Sequence, residues 1–124
     1  MAGPHFLGQK TLHELSLTQS LLEIAEEHAR RENATAITSI TMEIGALSGV
    51  VPEAIEFAFE VCTEGTLAEG ASLKINHIPA LGRCQKCGQE SKMESLLDGC
   101  SACDSYALDI LKGQEMALIE MEID

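Results

Sequence analysis

Two cysteine pairs constrain the fold more than any other feature of the sequence. Cys84 and Cys87 form one C-x-x-C motif, Cys100 and Cys103 form another, and twelve residues separate the two. Two residues between cysteines bring both sulfurs to one point across a tight turn. Two such turns supply the four thiolates of a closed, tetrahedral Zn²⁺ site. The spacing therefore predicts structural zinc at these four cysteines, held in a zinc ribbon.

A glycine beside each pair supports this interpretation. Gly88 follows the first pair and Gly99 precedes the second, where glycine lets backbone N–H groups approach the sulfurs. Two alternatives stay open: a pair of disulfides, which needs an oxidising compartment, and a redox dithiol, which is normally a single motif. Four clustered cysteines with a lone Cys62 fit a reducing cytoplasm, and we expect Cys62 to be a small core residue.

The chain length bounds how this ribbon can fold. At 124 residues the chain forms one ordinary domain or two small ones. A segment of about 25 residues around the cysteines buries too little core to fold alone, so metal binding must supply its folding free energy. The whole chain is 45% hydrophobic and only 3% aromatic. The remaining domain is therefore expected to have an aliphatic core.

The net charge of −12 restricts the class of partner. A zinc ion with four thiolates adds about −2 to it. Nucleic-acid binding depends on clustered Lys and Arg, so the charge argues against nucleic acid and favours a protein or a cation. No run of 18 apolar residues is present, and the N-terminus lacks a signal pattern. We predict a cytoplasmic protein that binds neither nucleic acid nor membrane.

Periodicity predicts an α+β fold: a small three-stranded sheet with two helices, carrying an inserted four-cysteine zinc-ribbon domain. Capping boxes at Thr11 and Ser16 offer two starts for a first helix that ends near residue 32. Pro52 and Gly65 bracket the second. Alternation predicts the strands, at 37–44, 72–78, 107–111 and 116–123. The predicted domains are a flexible extension over 1–11, an α+β domain over 12–79 plus 112–124, and the zinc ribbon over 80–111.

Several stretches together resemble one known family. They are LHELSLTQ at residues 12–19 with SLLEIAEEHA after it, then MEIGALSGVVPEAIEFAFEVCTEGT, and the CQKCG and CSAC segments. The chain is similar over about residues 12–124 to the nickel metallochaperones of hydrogenase maturation, the HypA/HybF family. Members typically open Met-His-Glu, a hydrophobic residue and Ser. The motifs are specific in combination.

The resemblance implies a metal-delivery function. The four cysteines would hold structural Zn(II), and the α+β domain would bind Ni(II) as transient cargo at His13 and Glu14, the latter through its main-chain nitrogen. Square-planar Ni²⁺ favours an imidazole together with deprotonated amide nitrogens. The family works with a GTPase partner, HypB, to load the large subunit of nickel–iron hydrogenase. Some members also serve urease, so urease maturation proteins are further expected partners.

The sequence departs from the family pattern at its start. Family chains begin one residue before the histidine, whereas eleven residues precede Leu12 here, so an α-amine ligand is lost. A helix starting at Thr11 would also use the amides of His13 and Glu14. We hypothesise that Leu12 is a misread start, encoded by TTG or CTG and translated as Met. The alternative is a real extension that weakens or remodels the nickel site.

Three other functions compete with nickel delivery. A zinc-ribbon protein-interaction adaptor without nickel would keep its metal content unchanged when His13 is replaced. A nucleic-acid-binding ribbon is disfavoured by the negative charge. An enzyme is not expected, because the zinc site leaves no open coordination position and no Ser/His/Asp or paired-carboxylate arrangement is evident.

Overall fold

The computed structural model describes residues 13–124 with their side chains, and its elements begin in the expected order of helix, strand, helix, strand. In chain order they are α1 (Ala2–Arg31), β1 (Ile37–Gly45), α2 (Pro52–Cys62), β2 (Ser72–Ile78), β3 (Ala80–Cys84), β4 (Glu90–Met93), β5 (Leu108–Lys112) and β6 (Met116–Ile123). The helix start predicted at Thr11 lies inside α1 by these bounds, and the extension predicted over 1–11 falls where the structure describes no side chains. The other predicted start, Ser16, lies inside α1 and begins no helix.

Helix α1 ends at a left-handed residue. Asn33 has a φ of 58°, and the N–H of Ala34 donates to the carbonyl of Ala29 at 2.9 Å. This is the Schellman geometry that closes a helix, so the helix end expected near residue 32 is confirmed. The hydroxyl of Thr18 donates to the carbonyl of Glu14 at 2.8 Å, one turn earlier in the helix. The Thr18 side chain therefore forms its hydrogen bond within α1 and does not cap a helix end.

The first sheet has the strand order β2-β1-β6. The N–H of Ala46 donates to the carbonyl of Ile78, so β1 and β2 end together and run parallel, with α2 as their crossover. Hydrogen bonds join Thr35 to Asp124 and Gly45 to Glu115, so β1 and β6 run antiparallel. This is the three-stranded sheet with two helices that the sequence predicts.

The chain divides into two compact units. The first comprises Met1–Met42, Val50–Ile75 and Leu118–Asp124, and the second comprises Glu43–Gly49 and Asn76–Ala117. The first unit buries an almost entirely aliphatic core, as the composition suggests, with these members: Leu22, Ala25, Ala29, Ile37, Ile40, Met42, Ile55, Ala58, Phe59 and Ala68. The predicted domain bounds, 12–79 with 112–124 and 80–111, stay a prediction.

The second unit contains another three-stranded sheet, in the order β4-β3-β5. Both outer strands run antiparallel to β3, and a register shift between Leu81 and Gly82 interrupts the β3–β5 ladder. A side chain at Gly82 would meet the buried Met93 sulfur at 2.6 Å, so the absence of one lets β4 close over β3. The turn between β3 and β4 and the connection from β4 to β5 hold the two cysteine pairs, which confirms the predicted four-cysteine ribbon. Among the described residues, no helix is both long and apolar enough to cross a membrane.

Candidate metal centre

The first cysteine pair sits where β3 ends. Cys84 is its last residue, and the N–H of Gly88 donates back to the carbonyl of Cys84 at 2.9 Å, closing the turn. Gly88 has a φ of 77°, which glycine adopts without strain. The turn points the N–H of Lys86 at the Cys84 sulfur, 3.4 Å away. Gly88 therefore has the role expected from the sequence.

The second pair repeats this turn with different residues. The N–H of Asp104 donates to the carbonyl of Cys100 at 3.0 Å, and the N–H of Ala102 points at the Cys100 sulfur at 3.3 Å. The residue at positive φ is Asp104, at 61°, and not a glycine. Gly99 was expected to allow this turn, but it instead makes room for Tyr106. The ring of Tyr106 lies 3.3 Å from the point where a side chain on Gly99 would begin.

The four sulfurs converge on one point. The ligand atoms of Cys84, Cys87, Cys100 and Cys103 all lie within 4.8 Å of one another. The Cys84–Cys103 and Cys87–Cys100 sulfur pairs are each 3.6 Å apart. A tetrahedron with metal–sulfur bonds of about 2.3 Å has edges of about 3.8 Å, so the cluster fits a Zn²⁺ ion.

The same distances do not fit the disulfides left open by the sequence, and the convergence of both pairs on one point distinguishes the cluster from a single redox motif. A disulfide bond is about 2.05 Å long, much shorter than the sulfur separations here. All four cysteines are free thiols in the structure, and each thiol has a partner from the other pair within 3.6 Å. Four convergent thiols, two buried and two exposed, are a closed ligand set for a tetrahedral metal and leave no position open for substrate.

The metal-free thiols do not ionise alike. The backbone hydrogen bond from Cys87 is the main cause that lowers the pKa of Cys84 to about 6. Backbone N–H groups of Ala102 and Cys103 likewise lower the pKa of Cys100. The backbone at Ser105 lowers the pKa of Cys103, but the neighbouring sulfurs and burial together raise it to about 12.

Cys87 follows the same pattern as Cys103. A backbone hydrogen bond from Gln89 lowers the pKa of Cys87, but the Cys100 sulfur, burial and the Cys84 sulfur outweigh it and raise the pKa overall. Sulfurs this close cannot all carry negative charge unless a cation lies between them. The cluster thus keeps protons on two sulfurs until a dication displaces them.

The predicted nickel residues lie in α1 with opposite environments. The side chain of His13 is exposed, whereas Glu14 is only 3% exposed. One carboxylate oxygen of Glu14 accepts a hydrogen bond of 2.6 Å from the backbone N–H of Val51, the residue that precedes α2. Glu14 thereby accepts a hydrogen bond from the residue that precedes α2, as the acidic residue of a capping box does from within its own helix. The sequence analysis missed this bond, because 37 residues separate its partners.

The structure also places the lone Cys62 and two further histidines. His28 and His77 are exposed, and Cys62 is only half-buried, so it is less of a core residue than expected. Burial raises the pKa of the Cys62 thiol, which keeps it protonated and weakly nucleophilic at neutral pH. Within residues 13–124 no group of three metal-binding side chains occurs apart from the four cysteines.

Comparison with known proteins covers nearly the whole chain. Residues 12–123 match the sequence model of a family described as "Hydrogenase/urease nickel incorporation, metallochaperone, hypA". A hydrogenase maturation factor HypA from Trichodesmium erythraeum is 46% identical over 113 residues, which cover 91% of this chain and 96% of that protein. Its counterpart from Geobacter metallireducens is 44% identical over 113 residues, covering 91% of this chain and all of the relative.

Solved structures agree with the sequence matches. The solution structure of the Ni metallochaperone HypA from Helicobacter pylori is similar with a TM-score of 0.62 and 28% identity, covering 89% of this chain and 96% of that one. A second solution structure, of a HypA protein, has a TM-score of 0.66 and 31% identity, covering 90% of this chain and 96% of that one. Both likenesses extend over the helices, the sheet and the cysteine-bearing ribbon together.

Proposed function

The chain belongs to the HypA family of hydrogenase and urease nickel-incorporation proteins, and on that premise we propose that it carries Ni²⁺ as transient cargo for hydrogenase maturation. The observation that carries this function is the family match over residues 12–123, which begins one residue before His13 and includes all four cysteines. The match favours a nickel metallochaperone with structural zinc over a zinc-ribbon adaptor without nickel.

Nickel binds at His13 and Glu14 in this proposal. The exposed imidazole of His13 is accessible to an incoming ion, whereas the Glu14 carboxylate is already bonded to Val51. Glu14 therefore contributes its main-chain nitrogen, which suits square-planar Ni²⁺ together with the imidazole. Because Glu14 lies within α1, this nitrogen must give up helical hydrogen bonding when it binds nickel. The nickel-bound chain then begins its helix after Glu14.

The zinc site is structural in this proposal, and the chain is a carrier and not an enzyme. Four cysteine ligands fill a tetrahedral ion and leave no position for water or substrate, so zinc stabilises the small ribbon without catalysing a reaction. Nickel, by contrast, has few protein ligands at His13 and Glu14. Such a site exchanges ligands readily, which allows a receiving protein to take the metal.

The proposed partners follow from hydrogenase maturation. They are the GTPase HypB and the large subunit of nickel–iron hydrogenase, with urease maturation proteins as further recipients. The description of the matched family, which includes urease, supports the last of these. The proposed location is the cytoplasm, whose reducing conditions keep the ribbon cysteines available as thiolates for zinc.

Native mass spectrometry with a nickel titration tests the nickel site. We expect the chain to hold one Zn²⁺ and to take up one Ni²⁺, and His13→Ala to abolish the nickel uptake while the zinc stays. His28→Ala is the matched control, because it removes another exposed imidazole from the same helix. Equal nickel uptake by the His13→Ala variant and the unmodified chain would contradict the proposed site and favour the adaptor.

A second chain in the same titration tests the amine ligand. It starts with Met in place of Leu12 and so carries its α-amine one residue before His13. If only this shorter chain takes up nickel, the amine is a ligand. If both chains take it up equally, the imidazole and main-chain nitrogens suffice. Failure of both chains to bind nickel would overturn the metallochaperone function.

A further inference from the structure

Three large apolar side chains stand in solvent on the zinc ribbon. Leu96 is 62% exposed, Leu97 is 83% exposed and Tyr106 is 78% exposed. Leu96 and Leu97 lie between β4 and Cys100, and Tyr106 lies between Cys103 and β5, all within the second unit. We call these three residues the ribbon tip. Isolated apolar side chains on a surface are ordinary, but two adjacent exposed leucines with an exposed tyrosine on the same small unit are typical of an interaction site.

The leucines are held in place by a hydrogen-bonded turn. One carboxylate oxygen of Asp98 accepts hydrogen bonds from the backbone N–H groups of Glu94, at 2.7 Å, and Ser95, at 3.3 Å. The N–H of Asp98 donates to the carbonyl of Ser95, and the Ser95 hydroxyl accepts from the N–H of Leu97 at 3.1 Å. The turn is therefore ordered before anything binds, which lowers the entropy cost of docking.

Tyr106 is anchored from the other side. Its ring lies 3.3–3.5 Å from the position that a side chain on Gly99 would occupy, two residues after Leu97. The absence of a side chain at Gly99 gives the ring this resting place. Tyrosine supplies a large contact area with few rotatable bonds and is enriched at protein interfaces. The aromatic ring thus rests against the segment that follows the two leucines.

The surroundings of the ribbon tip are acidic. Between Lys92 on β4 and Lys112 on β5 the chain has four acidic residues and no Lys or Arg, the four being Glu94, Asp98, Asp104 and Asp109. Among the described residues none of the four forms a salt bridge. Four thiolates on one dication would add negative charge nearby. The unbalanced charge repels acidic surfaces and steers basic ones toward the apolar residues.

From this arrangement we infer that the ribbon tip docks a protein of hydrogenase maturation that presents an apolar pocket rimmed by Lys and Arg. The leucines and Tyr106 enter the pocket, and the acidic residues meet the basic rim. This inference rests on the proposed function, since that function supplies the partners, but it concerns a surface in the ribbon and not the nickel residues. It therefore fails or survives separately from nickel binding.

The test measures binding of the zinc-loaded full-length chain to two purified proteins from the same host, HypB and the hydrogenase large subunit. We expect at least one of them to bind, and binding to weaken as NaCl is raised. The double variant Leu96→Ser with Leu97→Ser should bind about tenfold or more weakly, because it removes central apolar anchors. Leu111→Ser is the matched control, an exposed leucine of the same unit on β5, and should stay within about twofold of the unmodified chain.

Two further variants separate docking from a loss of structure. Asp98→Ala keeps both leucines but removes the acceptor that orders the turn, so it should weaken binding through lost preorganisation. Glu94→Gln combined with Asp104→Asn keeps side-chain size but removes two charges, so it should flatten the salt dependence. Each variant must hold one Zn²⁺ per chain by mass spectrometry, which shows that its ribbon is folded.

Two results would overturn the inference. One is that the Leu96→Ser/Leu97→Ser variant, with zinc bound, binds both proteins as tightly as the unmodified chain. The other is that the unmodified chain binds neither protein. Nickel uptake by the same preparations is measured separately. If the chain takes up nickel at His13 and the Leu96→Ser/Leu97→Ser variant binds both proteins normally, the proposed function stands and only the docking surface is ruled out.

Discussion

At the scale of single residues, His13 and Glu14 show how adjacent side chains take up different tasks. His13 faces solvent, where an imidazole can reach a metal ion, while Glu14 turns inward and accepts a hydrogen bond from Val51 at the start of α2. Val51 has no side chain able to cap the helix, and no side-chain cap is formed there. The bond from Glu14 therefore satisfies a backbone donor that the local sequence leaves without a partner.

Replacing Glu14 should destabilise the first unit. Glu14→Ala leaves the N–H of Val51 without its acceptor and should lower the free energy of unfolding by about 1–3 kcal/mol. Glu14→Gln retains an oxygen acceptor and should cost less. Urea unfolding followed by far-UV circular dichroism measures both, since both helices lie mainly or wholly in this unit.

The control for this prediction is Glu23→Ala, which removes an exposed carboxylate from the same helix. It should change the free energy of unfolding by no more than about 0.5 kcal/mol. Equal losses for Glu14→Ala and Glu23→Ala would show that the bond to Val51 contributes little.

The cysteine protons give a second prediction at this scale. At pH 7 the thiols of Cys87 and Cys103 keep their protons, since their pKa values are raised, whereas the pKa of Cys84 is about 6. A ribbon already folded without zinc would therefore release about two to three protons on zinc uptake at pH 7, whereas an unfolded ribbon, whose thiols have ordinary pKa values, releases about four. Because this ribbon depends on zinc to fold, we expect about four, and zinc affinity should fall as the pH is lowered.

Calorimetry in buffers with different ionisation enthalpies counts these protons. Cys62→Ser is the control and should leave the count unchanged, because burial raises the pKa of that thiol and it lies outside the cluster. Release of only about two to three protons at pH 7 would mean that the ribbon is already folded before it binds zinc.

The roles of some residues could be predicted from the sequence, and those of others could not. The zinc site depends on spacing within two short turns, so Cys84, Cys87, Cys100 and Cys103 were recognisable as a set before any fold was known. The bond from Glu14 to Val51 depends on two helices meeting, and no local pattern reports it.

At the scale of elements, three backbone segments of the second unit meet without side chains between them. A side chain on Gly45 would lie 2.1 Å from the carbonyl oxygen of Gly113, and one on Gly113 would lie 2.5 Å from Ala80. The N–H of Leu47 donates to that same Gly113 oxygen at 2.6 Å. The start of β3, the end of β5 and the loop after β1 are thus packed backbone to backbone.

Gly113→Ala should therefore be costly. Gly113 has a φ of 115° and has no room for a side chain, so we expect a loss of more than about 2 kcal/mol in the second unit. Gly49→Ala is the control: its φ is 78°, but nothing lies within 4 Å, so only the conformational cost of about 1–2 kcal/mol remains.

Urea unfolding followed by the fluorescence of Tyr106, which lies in the same unit, measures both variants. If Gly113→Ala and Gly49→Ala lose the same free energy, the close approach of Ala80 adds nothing to the strain of the positive φ.

The elements themselves were predictable where periodicity is strong. Pro52 at the first turn of α2 and the alternation in β6 located those elements to within a residue or two. β3 and β4 were not predicted as strands, because they have five and four residues and no clear alternation. Their pairing is fixed by the turns that carry the cysteines, and these are tertiary constraints that a short sequence window does not contain.

At the scale of the whole molecule, the hydrophobic core and the metal site belong to different units. The first unit contains the aliphatic core, while the second has few fully buried apolar residues besides two of its cysteines, Cys84 and Cys100. A small segment with so little core depends on its metal for folding free energy.

Removing zinc should consequently unfold the second unit and leave the first unit folded. With a strong chelator, the far-UV circular dichroism of the helices should persist while the amides of β3 and β4 lose their protection from hydrogen exchange. Hydrogen exchange with mass spectrometry resolves the two regions, and zinc added back should restore the protection. Simultaneous loss of protection in α2 and β3 would contradict this division.

The anchored ring of Tyr106 has a practical consequence for every optical experiment on this protein. The chain contains one Tyr and no Trp. Its intrinsic fluorescence and nearly all its absorbance near 280 nm therefore originate from one ring, beside the second cysteine pair. A thermal melt followed by fluorescence reports unfolding of the ribbon and is nearly insensitive to unfolding of the helices. Far-UV circular dichroism reports mainly the helices. The two signals together act as separate labels for the two units, with no dye or substitution introduced.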